Sequence, residues 1–455
     1  MYNLDMRIYF ISLGCPKNLT DSEEMMGVLA KAGHSISGDI NGADTVIINT
    51  CGFLASAARE SSREIARALN YKKAGIVKRI IATGCLVQRD PDLLRQKFPQ
   101  LDAMLGIEAA TSITDAVAGK TVRILPPPGL PGNEAQLRDG TERSARVVRS
   151  PAKLCAPVAR MTATLPHSVY LKIADGCDNR CAYCAIPMIR GVFRSKSPED
   201  VLDEARALAA NGAKEISLIA QDTTLYGMDL FGKPSLAALL RKLVKINGVR
   251  WRIMYAYPDR IDEELVDLIA AHPQICRYID MPVQHASDNI LKLMNRRSTA
   301  ASINRAVELL RKIPGMALRT TFITGFPGET QKDFDAIKSL MKRARFESAA
   351  FFAFSPEKGT PAYNFTGKVP AALRKSRADE LARLQSRIID DINKNLIGKT
   401  VPVLMDSPAA GRMDSQAPDI DGYVEVKSAN PLKAGDSVMI KITSARGYVR
   451  QGTAV

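Results

Sequence analysis

The sequence predicts an α/β chain in three folded parts: an N-terminal parallel α/β sheet domain, a central partial (βα) barrel and a small C-terminal antiparallel β-barrel. Three observations lead there. Residues 1–125 alternate strand-like and helix-like segments, which favours a parallel sheet covered by helices on both faces. Residues 166–390 carry that alternation through six βα-like units, enough for a complete or partial barrel whose reactive rim lies at the strands' C-terminal ends. Residues 399–455 lose the helical period and break into short strands separated by turn residues.

The first strands are RIYFISL, DTVIINT and KRIIATG. The helix after the first strand carries Thr20 and Glu23 at capping-box spacing, with Gly33 as its stop. Residues 126–165 open on PPPGLPGNEAQ and continue through the basic TERSARVVRSPAK. This is the composition of an interdomain linker or of a poorly ordered excursion. The central strands are SVYLKI, EISLIA, WRIMYAY, CRYIDMPV, LRTTFIT and SAAFFAF, with helical patterns such as SPEDVLDEARALAANG between them. A long amphipathic helix covers about 370–397 and ends near Gly398. TVPVLMD, GYVEVKS, DSVMIKITSA and GYVRQGTAV then form the tail. The expected boundaries are 1–125, a linker over 126–165, a central domain over 166–390 and a tail domain over 391–455.

A chain of 455 residues has room for about three domains. With 46 % hydrophobic and 24 % charged residues it has the composition of a soluble globular protein. No run of 18 apolar residues offers a membrane span, and MYNLDMRIYF lacks the basic-then-apolar order of a signal peptide. The expectation is a cytoplasmic protein with no membrane partner. The net charge of +15 suits nucleic acid or a ribonucleoprotein, or only a solvated basic surface. Four histidines, with no HExxH and no His-rich cluster, argue against a histidine-bound zinc enzyme.

The strongest local signal is DGCDNRCAYCAIP. Cys177, Cys181 and Cys184 form a C-x3-C-x2-C triplet just after a strand, a clustering that points to a metal site. A structural zinc site wants four protein ligands, and no fourth cysteine or histidine is near. A 4Fe–4S cluster can be held by three, leaving one iron open. CDNRCAYC resembles the CxxxCxΦC loop of the radical S-adenosylmethionine enzymes, with Tyr183 as its aromatic member. The resemblance implies that the open iron chelates S-adenosylmethionine, that the reduced cluster cleaves it to a 5′-deoxyadenosyl radical, and that Tyr183 lies beside the adenine.

Other strand ends supply candidate cofactor contacts. Gln221 and Asp222 follow EISLIA; they suit the methionyl amine or the ribose, or are ordinary loop polarity. MPVQHAS places Gln284 and His285 at another strand end. RTTFITGFPGET resembles the superfamily's GxIxGxPGE stretch, where Gly325 and Gly328 would let backbone approach the cofactor. Glu329 could equally be a carboxylate facing a helix N-terminus.

In the first domain Cys15 follows FISLG, Cys51 follows VIINT and Cys85 follows RIIATG, 36 and 34 residues apart. In a parallel α/β sheet all strand C-termini lie along one edge, where ligands bind. Three cysteines in matching register can therefore converge, whereas a single one would be an unremarkable buried thiol. Three thiolates again leave a position open, so a second 4Fe–4S cluster is expected.

GCPKN, INTCGF, ATGCLVQR, the triplet with AIPMIRG and a TRAM-like tail occur in the order found in the radical methylthiotransferases, which the whole chain resembles. The transfer-RNA branch, MiaB-like enzymes acting on isopentenyladenosine, typically shows GCQMN. SLGCPKN with DSE, INTCGFLASAARES, YIDMPVQHAS and APDIDGYV instead resemble the branch that modifies ribosomal protein S12, the RimO type. This resemblance implies conversion of an aspartate of S12, free or in the small ribosomal subunit, to its β-methylthio derivative. It assigns Cys177, Cys181 and Cys184 to the radical cluster and Cys15, Cys51 and Cys85 to an auxiliary cluster carrying the sulfur. One S-adenosylmethionine would donate methyl and a second the radical, with an electron donor and a sulfur source as further partners. The β-carbon is too weakly acidic for an ordinary side-chain base, so polar chemistry would be slow. The tail would grip the protein substrate.

Cys155 and Cys276 match neither cluster; Cys276 reads as core and Cys155 as an exposed, reactive thiol. The tail carries seven basic and six acidic residues over 399–455. Within it DSQAPDIDGYVE, with Asp419 and Asp421, is expected to present an acidic patch to a basic partner. The alternatives are a transfer-RNA methylthiotransferase, which the +15 charge would suit, and a non-catalytic iron–sulfur RNA-binding protein.

Overall fold

The first sheet is five parallel strands in the order β2–β1–β3–β4–β5: Ser35–Ser37, Arg7–Ser12, Thr45–Thr50, Arg79–Gly84 and Ala103–Met104. All six residues of β3 are buried, as expected of a central parallel strand with helices on both faces. Alternation sorts the side chains. Val46, Ile48, Ile80 and Ala82 pack with Ile65 and Ala68 of helix α2 (Ala55–Lys73), while Ile47 and Ile81 pack with Met25 and Leu29 of helix α1 (Pro16–Lys31). The computed structural model describes residues 5–122, 124, 127 and 160–455. Of the expected linker over 126–165 only 127 and 160–165 are among these, and Cys155 lies outside them.

Helix α1 begins earlier than its expected capping box. Cys15 is the N-cap and Pro16 the first helical residue, where proline's missing N–H costs nothing. Thr20 sits a full turn inside, its hydroxyl donating to the Lys17 carbonyl at 2.8 Å. Glu23 is buried and pairs with Arg160 at 3.1 Å. The C-terminal reading holds: the helix stops at Lys31 and Gly33 takes φ +93°.

The chain divides into two compact units. One comprises Met1–Ala163 with Asp175–Arg180 and Cys184–Lys196; the other comprises Thr164–Ala174, Cys181–Tyr183 and Ser197–Val455. The second unit holds a six-stranded, all-parallel sheet in sequence order: Ser168–Lys172, Glu215–Ile219, Arg250–Ile253, Ile275–Asp280, Ala317–Thr324 and Ser348–Ala353. The barrel is partial: these strands form an open sheet. Helix starts between them are capped by side chains, as with Ser197, Asp262 and Thr330. The long helix runs Ala371–Lys394.

The tail closes as a five-stranded barrel around Val403, Met405, Val424, Ile440 and Ile442. Its pairs are antiparallel except Tyr423–Lys427 with Val449–Ala454, which run parallel. The short strand Ala410–Arg412 was not among the expected ones.

A barrel interior is usually filled by Val, Ile and Leu; this one is ionic. Glu215, fully buried, accepts from Arg252 and from Arg412 of the tail, each at 2.8 Å. Arg412 also donates to Ser168 at 3.0 Å and to Asp406 at 2.7 Å, and Asp406 meets the His167 ring at 3.0 Å. Asp421 is 2 % exposed and accepts from the Tyr278 hydroxyl at 2.6 Å. This corrects the expected acidic patch. Asp414 pairs with Arg250, and Asp421 is sealed inside, because the segment seats the tail against the sheet. Asp419 and Glu425 stay exposed, Asp419 within 3.3 Å of the Tyr170 hydroxyl.

Burial alone would raise the Glu215 pKa, but Arg252 and Arg412 outweigh it and hold this carboxyl far below the usual range. A depressed carboxylate contributes stability above its unfolded pKa, about 4.3, which is lost as pH falls toward the folded value. The only tryptophan, Trp251, is buried in the neighbouring strand and reports on this unit. Urea unfolding followed by Trp251 fluorescence should weaken progressively below about pH 5. Glu215→Gln, which leaves buried arginines short of a counter-charge, should cost roughly 3–5 kcal/mol at neutral pH and flatten that acid dependence.

Candidate functional site

Register decides where the first three cysteines go. Ser12 pairs with Asn49 and Thr50 with Gly84, so β1, β3 and β4 end level. Cys15 comes three residues past β1 and Cys51 one residue past β3; Cys85 opens the short helix α3 (Cys85–Arg89). Gly84 makes the last turn at φ +92°, and a Cβ there would lie 2.1 Å from Asn49 Oδ1 and 2.7 Å from the Thr50 carbonyl. Only glycine fits that turn.

Asn18, 1 % exposed, clamps the three ends. Its Nδ2 donates to the Leu13 carbonyl at 2.8 Å and to the Thr50 carbonyl at 3.0 Å. Its Oδ1 accepts from the Cys85 thiol at 3.5 Å and from Arg190 at 3.1 Å. Asn49 returns the tie, donating to the Asn18 carbonyl at 2.7 Å and to Ser22 at 2.9 Å. Cys51 is pinned through its own backbone, its N–H donating to Ser61 Oγ and its carbonyl accepting from it, both at 2.9 Å.

Burial pushes the Cys85 thiol up to about 12, with Arg190 pulling against it and the charges of Cys15 and Cys51 adding to it. Cys51 is raised by burial and further by Cys15. Among the described residues no three His, Cys, Asp or Glu side chains gather tightly enough for a single ion. Thiolates that each bind a different iron of a cluster stand wider apart than the ligands of one ion. An all-thiol set, mutually coupled and backed by a permanent cation, fits an iron–sulfur cluster.

The triplet loop is fixed on both sides. In the first unit Gly176 N–H donates to Asp175 at 2.9 Å and Cys177 N–H to the Gly191 carbonyl at 3.1 Å. In the second unit Ala182 N–H donates to the Met294 carbonyl, and its own carbonyl accepts from Ala362 N–H, both at 2.9 Å. The Tyr183 ring stands edge-on to Phe326 of GFPGET at 6.5 Å, and its hydroxyl accepts from Arg296 at 3.2 Å.

Comparison with known proteins is consistent along the chain. Residues 7–106 match the uncharacterized protein family UPF0004, residues 171–341 the Radical SAM superfamily and residues 397–455 the TRAM domain. Over 99 % of this chain and all of the relative, it is 49 % identical to the ribosomal protein uS12 methylthiotransferase RimO of Elusimicrobium minutum (strain Pei191). The chain belongs to the RimO family. Within it, the protein of that name from Clostridioides difficile (strain 630) is 40 % identical over 98 % of both chains. Among solved structures, the radical S-adenosylmethionine methyltransferase TsrM from Kitasatospora setae aligns with TM-score 0.56 at 17 % identity, covering 79 % of this chain and 74 % of that one. At that identity the likeness speaks for the fold alone. No helix among the described residues is long and apolar enough to cross a membrane.

The remaining strand-end residues differ in what their side chains do. Asp222 is buried and accepts from Thr224 and from Arg260, each at 2.6 Å, so it anchors its own loop. Gln284 is held at φ +70° by backbone bonds to Thr321 and Ile323, and its Oε1 is buried without a protein partner. Such a backbone is sustained only where the surroundings impose it. Gly325 takes φ +69°, and a Cβ there would lie 2.0 Å from the Arg374 side chain; Gly328 takes φ +84°. Glu329 is buried, accepting from Gly325 N–H at 2.8 Å and from Arg377, with the His285 ring at 3.2 Å. Ser287 N–H donates to His285 Nδ1 at 3.1 Å, which places the imidazole proton on Nε2, toward Glu329. Gln221 is half-buried. Cys276 is fully buried, as expected of a core thiol.

Sequence reasoning missed Asn18, Arg190, Arg296 and Tyr257. Arg296 stacks over the Tyr257 ring at 4.1 Å while holding Tyr183, and Cys181 bears electrostatically on Tyr257. The available signal was their place in the stretches GCPKN, AIPMIRG and WRIMYAY; Arg296 had none.

Asn18→Ala removes the side-chain amide that serves the Leu13 and Thr50 carbonyls and should cost roughly 1–3 kcal/mol, measured by thermal unfolding. Combined with Cys177→Ala, Cys181→Ala and Cys184→Ala, it should also lower the iron bound per chain. Arg296→Gln frees the Tyr183 hydroxyl and should weaken S-adenosylmethionine binding about tenfold in equilibrium dialysis, the scale of one hydrogen bond.

Proposed function

We propose that this chain inserts sulfur at the β-carbon of an aspartate of ribosomal protein S12 and methylates it, acting in the cytoplasm on S12 free or within the small subunit. The observation that supports the reading most is that Cys15, Cys51 and Cys85 each follow one of three level strand ends, in a chain 49 % identical throughout to a RimO protein. Cys177, Cys181 and Cys184 would hold the radical cluster, and Cys15, Cys51 and Cys85 the auxiliary one. When bound, two 4Fe–4S clusters and S-adenosylmethionine supply the sulfur, the methyl group and the radical that removes hydrogen from an unactivated carbon. The family of the relatives favours this over the transfer-RNA alternative.

The chain's own residues orient and enclose. Tyr183, fixed by Arg296 and Phe326, offers a ring face for the adenine. Gln284 presents its orphan carbonyl oxygen as an acceptor for an amino or hydroxyl group. Gln221 stands on the loop that Asp222 anchors, and Gly325 and Gly328 shape the neighbouring turn. His285 and Glu329 are struts for that turn, their polar atoms spent on each other and on Arg377. An electron donor and a sulfur source complete the set of partners, and the exposed face of the tail barrel is the proposed grip on S12.

Two substitutions separate the roles. With S12, S-adenosylmethionine and a reductant, Cys51→Ala should still release 5′-deoxyadenosine but form no methylthioaspartate by mass spectrometry. Cys181→Ala should abolish both products. Methylthioaspartate formed at parent level by Cys51→Ala would overturn the assignment of the first three cysteines.

A further inference from the structure

Arg190 is 1 % exposed and ends a short helix, Ile186–Arg190, that begins two residues after Cys184. One arm of its guanidinium donates to both oxygens of Asp175, at 3.1 and 2.8 Å. The other donates to Asp21 at 2.7 Å, to Asn18 at 3.1 Å and to the Cys85 sulfur at 3.6 Å. Asp175 is two residues before Cys177, and the carbonyl of Gly191, next to Arg190, holds the Cys177 N–H. All these residues belong to the first compact unit. A lone structural ion pair would need only one of the two carboxylates. Here both terminal nitrogens of the planar fork are used, and one of them faces a candidate cluster ligand.

Arginine does not deprotonate in proteins, so it keeps its donors and its charge whatever the state of the sulfur. A charged N–H···S bond stabilises added negative charge on the sulfur and on the metal group behind it. We propose that Arg190 is a positioning residue for the auxiliary centre: it grips the Cys85 sulfur, sets the reduction potential of the group held by Cys15, Cys51 and Cys85, and ties that ligand to the loop entering Cys177. The inference rests on the auxiliary-cluster reading above. Losing the bond should move the potential to more negative values. Losing the cation as well leaves Asp21 and Asp175 beside the ligand and should move it further the same way.

The test uses the full chain with Cys177→Ala, Cys181→Ala and Cys184→Ala, so that only the auxiliary cysteines can load. Parent, Arg190→Lys and Arg190→Met forms are reconstituted with iron and sulfide and titrated by electron paramagnetic resonance. Arg190→Lys keeps the charge but cannot span Asp175 and Cys85 together. It should bind the parent amount of iron with a more negative midpoint and an altered spectrum, and Arg190→Met, where it folds, should shift further. A loaded Arg190→Lys form with the parent's midpoint and spectrum would overturn the proposal. So would reduced iron content with an unchanged midpoint for the fraction loaded, which marks a purely structural role. No iron–sulfur signal in the parent of this background would instead overturn the auxiliary-cluster reading, and this inference with it.

Discussion

Sulfurs carried 36 and 34 residues apart in sequence meet only if neighbouring parallel strands end at one level. In the first unit that constraint is met by the ladders pairing Ser12 with Asn49 and Thr50 with Gly84. A slip of one residue in a fully buried strand would turn every side chain to the opposite face. The register is therefore fixed by two hydrophobic layers, and the positions of the cysteines inherit that precision. Asn18 then ties the ends where the hydrogen-bond ladder stops. The cost of turning sharply is met by Gly84, and the residual charge of the pocket by Arg190.

The second unit rests on a different kind of interaction. Its parallel sheet does not close on itself. Glu215, Arg252 and Arg412 occupy space that a closed barrel would fill with aliphatic side chains. Buried ion pairs contribute less net stability than apolar packing of the same volume, but they tolerate few arrangements. Tyr278 with Asp421, and Arg252 stacked 4.6 Å from the Tyr278 ring, extend the same network, so that sheet and tail share one polar core.

What was legible in the sequence was what local pattern determines. The apolar runs marked the principal strands to within a few residues because burial on both faces leaves no polar interruption. That Cys15, Cys51 and Cys85 follow level strand ends was legible because topology, not spacing, decides it. Thr20 and Glu23 misled because a capping-box spacing can sit inside a helix, whereas Pro16 carried the true start signal. Asp421 misled because an acidic loop looks solvated until its partner is known, and Tyr278 lies 143 residues away. Asn18 and Arg190 are 172 residues apart in sequence and in contact in the fold. Arg296 reaches Tyr183 across 113 residues. No window of sequence contains such pairs.

The seating of the tail has a mechanical consequence. Arg412 and Asp421 are not rim contacts that can open and close; they are held inside the sheet by charge and by hydroxyl groups that water cannot reach. Sheet and tail therefore move as one body. A macromolecule bound to the outer face of that small barrel is held at a span set by the strands themselves rather than by a tether.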